Sequence, residues 1–585
     1  MPLFARQAVP SAGQSGSASH HGGSGATKSD DALLPSSFFW ILIITAALFA
    51  VPVIANLPRT IARLASGRRG GELFQGMWFG NKGTRNSPVR QYAVGLQSST
   101  PIRPKHFRAW DEMIPGCGYL RVEVPFTRGY TIGQLVTLVI YAALVGVAIG
   151  LNRPYQEPNN AGQVAILQLP LAVFLSLPMS PASTLLGVTY MKLNYFHRLV
   201  GRMIFIASAI HVAIYTYKFV DGGKFQTLIK KQKFIGGYLA FSSLCFMLLT
   251  SLPFVRARLH SFFRVCHLIG FGCLAAGLAV HMPRTARIAI IAAAMYGLDI
   301  LLRLPKFRYK RAYLTPMPQC SSTQITVPTV TSGWRAGQYV FIRVPALRQV
   351  GGMDFLENHP FTIASAAGGQ LILVARKQGD WTRALYDLAC EGSGGEKGEG
   401  LECNVLLKGP FGGLGHTLLS SYSGVVLLTG GSGITYGLGM LEDIVHRAAA
   451  NATRTTCVSL IWCTKHPDEK RPFTEHLKSL IRLADEAGLS VNVYIYITRS
   501  TPTGCDTSGG ITVHHLRPAI STVLEASIER CCGSVPAGTA MSGVYVGVCG
   551  PRAMVQDANS AVNDMSHANK RRVGGVNFHV ERFSL

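Results

Sequence analysis

Apolar residues dominate seven stretches long enough to cross a bilayer, roughly 38–57, 131–151, 163–181, 198–219, 234–254, 262–282 and 284–303. The third carries Pro170 and Pro178 and is the weakest of the set. After about residue 305 the pattern changes, and no span-length run remains. Residues 306–415 show short strand-like segments with Gly and Pro between them, which predicts a small antiparallel barrel. Residues 422–585 alternate strand with helix. Val425–Thr429, Thr455–Cys463, Ser490–Thr498 and Gly543–Cys549 predict strands, and 436–449 predicts a helix. That order predicts an open α/β sheet with its ligand edge at the strands' C-terminal ends.

Composition agrees with a membrane protein carrying a large soluble part: 48% of the 585 residues are hydrophobic, and mean hydropathy is +0.24. Net charge is +26, and its placement sets an orientation. Arg59, Arg63, Arg68 and Arg69 follow the first stretch, and Arg121 and Arg128 precede the second. Lys192, Arg198 and Arg202 flank the fourth, while Arg256, Arg258 and Arg264 separate the fifth from the sixth. Arg303, Lys306, Arg308, Lys310 and Arg311 follow the seventh. With those ends inside, the N-terminus lies outside and the C-terminal half in the cytosol. Arg153, Lys218, Lys224, Lys230, Lys231 and Lys233 then fall outside, against the rule. They read as a solvated loop or as a surface for an anionic substrate.

Thirteen cysteines show no disulfide or zinc spacing. Residues 11–29 read as a disordered tail, and His20 and His21 within it as incidental. The first apolar run starts late and lacks a small-residue cleavage site, so it reads as an uncleaved span.

Four histidines carry the chemistry of the apolar half. His197 and His211 lie in the fourth stretch, His267 and His281 in the sixth, each pair separated by 14 residues. On a helix that is about 21 Å of rise and about 40° short of whole turns, so each helix shows two imidazoles on nearly one face at two depths. Intramembrane ionisable groups are costly and usually functional. One return helix separates the two histidine helices, so they run the same way. His197 therefore pairs with His267 on the inner side and His211 with His281 on the outer side, as axial ligands of two b-type haems. His260, seven residues before His267, reads as an interface residue at the cytosolic mouth; the position equivalent to a partner is Tyr190. Gly201, Ala207, Ser208, Gly270, Gly272 and Gly277 leave room for a flat macrocycle or for helix contact.

In the soluble half, Trp334 to Pro345 ends in an alternating strand, and His359-Pro360-Phe361-Thr362 follows. Gly379-Asp380-Trp381-Thr382 precedes a helical run, Arg383–Ala389, where N–H groups and a hydroxyl can meet a phosphate. Gly430-Gly431-Ser432-Gly433-Ile434-Thr435 joins strand to helix, and Cys549-Gly550-Pro551 ends the last strand. Glycines there permit close approach of a pyrophosphate.

From about residue 37 onward the chain resembles the fungal ferric/cupric reductase family, relatives of the NADPH oxidases. The doubled histidine spacing matches that family's two-haem core. The resemblance implies a multi-pass α-helical membrane domain binding two b-type haems, followed by a cytosolic ferredoxin-NADP reductase-like module. That module combines an antiparallel β-barrel FAD domain with an α/β nucleotide-binding domain. By resemblance, Phe361 packs on the flavin, Thr362 reaches its reactive edge, and His359, with Pro360, holds it. Lys377, Gly379 and Thr382 match the segment over the FAD pyrophosphate, and Gly409-Pro410-Phe411-Gly412 the turn between lobes. Gly430, Gly431, Gly433 and Thr435, with Cys549, Gly550 and Pro551, match the NADPH motifs, Cys549 near the nicotinamide. Members often end in Phe-x-Trp; this chain ends Phe583-Ser584-Leu585, so either the aromatic flavin cover is missing or Phe583, which matches the oxidases' Phe ending, takes its place. A usual Tyr-Glu before the sixth span is Leu259-His260 here.

The implied boundaries are a tail over 1–36, a first helix over 37–58 and a cytosolic loop over 59–130. The haem domain then covers 131–305, the FAD domain 306–415 and the NADPH domain 416–585. The implied activity moves electrons from cytosolic NADPH through FAD and two haems to external ferric chelates or cupric ions, in the plasma or vacuolar membrane. Lys465 and Arg499 are candidates for the NADPH 2′-phosphate, and each also reads as a solvated charge. An iron permease or oxidase is a conceivable partner; nucleic acid is not expected. A superoxide-forming NADPH oxidase is the nearest alternative, though those enzymes generally have six spans. A histidine-lined metal transporter with a nucleotide-binding tail is a remote one.

Overall fold

The computed structural model describes residues 36–67, 103–108, 120, 124, 130–151, 153–349, 357–392, 400–500, 504–536 and 538–581. The tail with His20 and His21, the residues Arg68, Arg69, Arg121 and Arg128, and Phe583 lie outside the described residues.

The apolar half is helical. α1 (Ser36–Ala55) runs into α2 (Leu57–Gly67) across a 56° bend near its Pro52. α3 (Ile132–Leu151), α4 (Pro158–Leu167), α5 (Leu169–Ser176) and α6 (Pro181–Leu186) follow. Then come α7 (Tyr190–Asp221), α8 (Gln232–Thr250), α9 (His260–His281) and α10 (Pro283–Arg303). Among the described residues, five unbroken helices are long and apolar enough to span, and six if the bent α1–α2 pair is one. The chain is thus an integral membrane protein. Seven spans were expected. The third stretch departs from that: it is broken at Gln168 into α4 and α5, with Pro170 in the first turn of α5. A proline interrupts the helical hydrogen-bond ladder, and here the Gln168 side chain bonds back to the Val164 carbonyl at 2.8 Å and takes the Tyr141 hydroxyl at 2.8 Å. Buried Asp299 in α10 is held by Arg303 at 2.7 Å and by the Met179 N–H at 2.8 Å.

α8 and α9 pack backbone to backbone. A Cβ on Gly277 would lie 2.7 Å from the Ala240 nitrogen, and one on Gly236 would lie 2.8 Å from the Gly277 carbonyl. Gly270 is filled by Met247, whereas Gly201 and Gly272 have nothing within 4 Å of an added Cβ. So Gly270 and Gly277 are helix contacts.

The soluble half has two lobes. The first is a six-stranded antiparallel sheet in the order β4-β3-β6-β1-β2-β5. Its strands are β1 (Phe307–Met317), β2 (Ser322–Val327), β3 (Gln338–Arg343), β4 (His359–Thr362), β5 (Leu371–Arg376) and β6 (Leu401–Gly412). A bridge from Ile363 to Leu373 joins the two ends of that order and closes the barrel. α11 (Asp380–Gly392) buries Trp381, Leu385 and Leu388 against it.

The second lobe is a seven-stranded sheet ordered β10-β11-β9-β8-β7-β12-β13. β7 (Gly424–Gly430), β8 (Cys457–Thr464), β9 (Ser490–Ile497) and β11 (Ile511–His514) run parallel. β12 (Val544–Cys549) and β13 (Val576–Glu581) lie on the other side of β7, also parallel, and β10 (Cys505–Ser508) is the antiparallel edge. β7 and β8 are buried on both faces, which explains their unbroken apolar runs. Helices α12 (Ile434–Ala449), α13 (Arg471–Glu486), α14 (Ile520–Gly533) and α15 (Arg552–Asp564) cover the faces.

Both lobes rest on the helical half. Tyr190, Met191 and Lys192, at the start of α7, grip them together. The Tyr339 hydroxyl meets Met191 Sδ at 3.1 Å and bonds with Tyr190, and Lys192 Nζ donates to the Val580 carbonyl at 3.2 Å. Lys306 Nζ donates to the Pro410 carbonyl at 3.2 Å. His416 is buried between them, with Nε2 on the Leu185 carbonyl at 2.9 Å and Thr60 alongside. Burial first, then the charges of Arg63, Arg59 and Arg335, lower the His416 pKa from 6.5 to about 4, against the opposing carbonyl bond. The docked ring is therefore neutral. An undocked ring binds a proton at higher pH, so this contribution to docking is complete above 6.5 and lost as pH falls towards about 4. Limited proteolysis of the full chain should show the soluble half loosening in that window, and His416→Gln should flatten the dependence. A wild-type profile with no change between 6.5 and 4 would refute it.

Candidate functional site

The four histidines form two pairs at two depths. Ring centres are 6.3 Å apart for His197 and His267, and 6.4 Å for His211 and His281. A metal–imidazole bond of about 2 Å plus about 1.1 Å from nitrogen to ring centre, counted on both sides, gives about 6.2 Å. The spacing thus fits one metal centre between each pair of rings.

The other nitrogen of each ring supports the same fit. Nδ1 of His197 faces the Ala172 carbonyl at 2.7 Å, that of His211 the Pro158 carbonyl at 2.7 Å, and that of His281 the Lys233 carbonyl at 2.9 Å. A carbonyl only accepts, so Nδ1 carries the proton and Nε2 the lone pair in these three. Nδ1 of His267 has the Ser251 hydroxyl at 3.2 Å. Such outer partners fix ring direction and tautomer. The broken pair α4–α5 supplies both acceptors for α7, which is why it must run beside that helix over both depths. Gly162 and Gly237 complete the outer pair: an added Cβ would lie 2.9 Å from His211 Nδ1 and 2.8 Å from His281 Nδ1. The sequence reading missed both, and no local pattern distinguishes them from other helix glycines.

An aromatic series runs from the inner pair to the barrel. Phe263 lies 5.4 Å from His267, and exposed His260 lies 6.0 Å from Phe263. Glu357 and His359 of the barrel lobe are within electrostatic reach of His260. His260 is therefore at the junction, where the sequence placed it.

In the barrel, β4 pairs with β3, placing Phe361 opposite Val340 and Thr362 opposite Tyr339. Thr362 is buried. His359 binds Glu357 at 2.8 Å and lies tilted 4.5 Å from Trp381, while Phe361 stacks 5.8 Å from the same indole. Pro360 sits between them on the strand. The Gly379 turn differs from expectation. Thr382 Oγ1 accepts from the N–H groups of Gln378 and Gly379, each at 2.9 Å, and donates to the Gly379 carbonyl. Its hydroxyl is used inside the turn, because a Thr three residues into a helix start closes on its own backbone. Lys377 is likewise engaged, by Asp387 at 2.8 Å. Gly409-Pro410-Phe411-Gly412, expected as the turn between the lobes, instead forms the end of β6, where Phe411 and Gly412 pair with Tyr339 and Gln338 of β3; Gly409 has φ +148, Gly412 φ +74, and the Gly409–Pro410 bond is cis.

The nucleotide motifs meet at the switch point of the second sheet. The chain leaves β7 towards β8 on one side and returns as β12 on the other. Crevices of this kind bind ligands in open α/β sheets. Thr429 lies opposite Cys549, so the turn from Gly430 to Thr435 abuts Cys549, Gly550 and Pro551. An added Cβ on Gly430 would lie 2.7 Å from Pro551 Cδ, and one on Gly433 would lie 2.2 Å from the Cys549 carbonyl oxygen. Thr435 Oγ1 donates to the Ser432 carbonyl at 3.1 Å. Arg376, from the end of β5, reaches this crevice from the other lobe: it binds Glu469 at 3.2 Å, and Gly431 adopts φ +56 beside it. Burial, then Glu581 nearby, pushes the Cys549 thiol up, so it is a neutral group. Lys465 and Arg499 are exposed and follow β8 and β9 on the same edge.

Comparison with known proteins finds three successive matches along the chain. Residues 161–278 match the family model "Ferric reductase like transmembrane component", residues 310–414 an "FAD-binding domain", and residues 422–515 the "Ferric reductase NAD binding domain". "Ferric reductase transmembrane component 6" of Saccharomyces cerevisiae is 24% identical over 78% of this chain and 66% of its own length. "Probable cell surface ferric reductase kap2" of Aspergillus oryzae is 26% identical over 59% of this chain and 48% of its own. The chain thus spans about half to two-thirds of the length of these relatives. A ferredoxin NADP+ reductase structure from Neisseria gonorrhoeae aligns with 48% of this chain and 99% of its own, at 19% identity and a TM-score of 0.32. The three matched segments follow one another in the order of the structural domains: a ferric reductase-like transmembrane segment, an FAD-binding domain and a ferric reductase NAD-binding domain.

Proposed function

We propose that this protein is a transmembrane NADPH-dependent ferric-chelate reductase, delivering electrons from the cytosol to ferric, and also cupric, ions outside. The observation that carries this is the pair of histidine pairs at two depths, each spaced for one metal centre and joined at its inner end to a flavin-type barrel. When bound, FAD turns a two-electron hydride donor into single electrons and two b-type haems carry them across the membrane.

The chain's own residues bind and orient. His197 with His267 would hold the inner haem, and His211 with His281 the outer one. Phe361, stacked near Trp381, and His359 would bracket the flavin, with Thr362 and Phe583 at its edges. The N–H groups at the start of α11 would face its pyrophosphate. The Gly430–Thr435 and Cys549–Pro551 turns would cradle NADPH. Neutral Cys549 would form the wall beside the nicotinamide and exclude water there. Lys465 and Arg499 would meet the 2′-phosphate. Domain boundaries are proposed as 1–36, 37–58, 59–130, 131–305, 306–415 and 416–585, with the soluble half cytosolic and the plasma membrane as the site.

The test is anaerobic stopped-flow visible absorbance of the purified full chain mixed with NADPH, followed by ferric citrate or oxygen. A reduced b-type band that ferric citrate reoxidises promptly, with little superoxide in air, is expected. Reoxidation mainly by oxygen with superoxide formed would assign an oxidase instead, and a protein with no haem band would end the proposal.

A further inference from the structure

The backbone that orients the outer histidine pair also carries a strongly basic patch. The Lys233 carbonyl holds His281, and the Lys233 ammonium is within electrostatic reach of His211. Lys224, Lys230 and Lys231 are exposed in the same α7–α8 connection. Arg153 is exposed in the turn before α4, whose Pro158 carbonyl holds His211. Lys218, in the last turn of α7, ties the two segments: its Nζ reaches the Gln156 carbonyl at 3.4 Å and lies over the Tyr155 ring. The segments 153–158 and 218–233 contain two carboxylates, Glu157 and Asp221, and Glu157 is bonded to the Asn160 amide. Basic residues on the outer side run against the positive-inside bias, so membrane anchoring is a poor reason for them.

A collar of this kind acts at range. The screening length is about 8 Å at physiological ionic strength, and a one-sign surface raises the encounter rate of an opposite charge by about 10- to 1,000-fold. Lysines act as hydrated point charges, suited to gathering an anion without trapping it.

We propose that this basic collar selects the acceptor by charge, favouring ferric iron carried on an anionic carboxylate chelate over cationic or neutral complexes. The inference rests on the reading that the outer pair serves electron exit. Each chelate takes one electron, ferric becoming ferrous. One NADPH supplies two, so two chelates are reduced while NADP+ and one proton are formed.

The experiment uses the full chain with its haems, in phosphatidylcholine discs, reduced by NADPH without air. Reoxidation of the haem band is timed with ferric citrate and with hexaammineruthenium(III) as salt is raised. The ferric citrate rate should fall with salt, and the ruthenium rate should not. The triple variant Lys224→Gln, Lys230→Gln, Lys231→Gln should slow ferric citrate about ten-fold and leave the ruthenium rate equal or higher, with both haem spectra unchanged. Equal salt slopes for the two acceptors, or a triple variant as fast as wild type with ferric citrate, would overturn the proposal. A wild-type chain stabilised by anionic lipid, with a triple variant that loses this stabilisation yet keeps its ferric citrate rate, would assign the lysines to headgroups and overturn it too. Failure of both acceptors to reoxidise the band would instead remove the underlying reductase reading.

Discussion

His267→Ala should abolish transfer from flavin to any external acceptor while NADPH still reduces FAD. His267 is the only imidazole facing His197 across the 6.3 Å gap among the described residues. With it gone, His197 keeps its bond to the Ala172 carbonyl but has no second imidazole facing it to help hold the haem that the pair would bind. Loss of an outer-shell partner typically costs about 10–100-fold in metal affinity or activity. Ser251→Ala, which removes only the hydroxyl beside Nδ1 of His267, should fall in that range. Loss of the ligand itself should exceed about 100-fold in NADPH-to-ferric flux and reduce haem content from two per chain towards one. The measurement is a pyridine haemochrome count beside stopped-flow flavin bleaching at its own absorbance. The nucleotide crevice lies in a different domain, so bleaching should persist at the wild-type rate. Both haems retained with flavin bleaching lost would show that the rings have been paired wrongly.

What the sequence displayed and what it hid follows from how local each signal is. Fourteen residues along one helix fix two depths, and one return helix fixes direction, so His197 could be set against His267 from spacing alone. The unbroken apolar runs of β7 and β8 likewise reveal strands buried on both faces. Contacts made by distant backbone are of another kind. Nothing near Ala172 or Pro158 marks their carbonyls as partners of His197 and His211. The third stretch looked like a doubtful span because Pro170 weakens the helical pattern, yet its two pieces orient two of the four paired histidine rings. Thr382 had the right position for a phosphate contact, but its hydroxyl reaches its own turn first. His416 carried no motif at all, since its burial arises only when the soluble half docks on α2 and α6.

Gly433 shows how a motif recognised in sequence acquires its physical reason in the fold, and Gly433→Ala is expected to be a damaging small change at the nucleotide crevice. The position has φ −61 and ψ −12, an ordinary helical conformation that alanine adopts without strain. Space is what it lacks. The added Cβ would lie 2.2 Å from the Cys549 carbonyl oxygen and 3.0 Å from its carbon, both backbone atoms. They cannot swing aside as a side chain would. Relief requires parting the ends of β7 and β12, where Thr429 and Cys549 are in register. Overpacking of this kind costs about 1–3 kcal/mol and sometimes more. If that cost falls on the crevice, each 1.4 kcal/mol is about a ten-fold loss in nucleotide affinity. We expect the KM for NADPH to rise at least about ten-fold, with slow flavin bleaching, while both haems still reduce with dithionite. Gly533→Ala is the control, since its added Cβ meets nothing within 4 Å and should leave every rate alone. Gly431→Ala should fall between the two: its φ of +56 disfavours alanine, but the nearest atom is the movable end of Arg376 at 3.2 Å. A Gly433→Ala enzyme with an unchanged KM would mean that the β7–β12 crevice is not where NADPH binds.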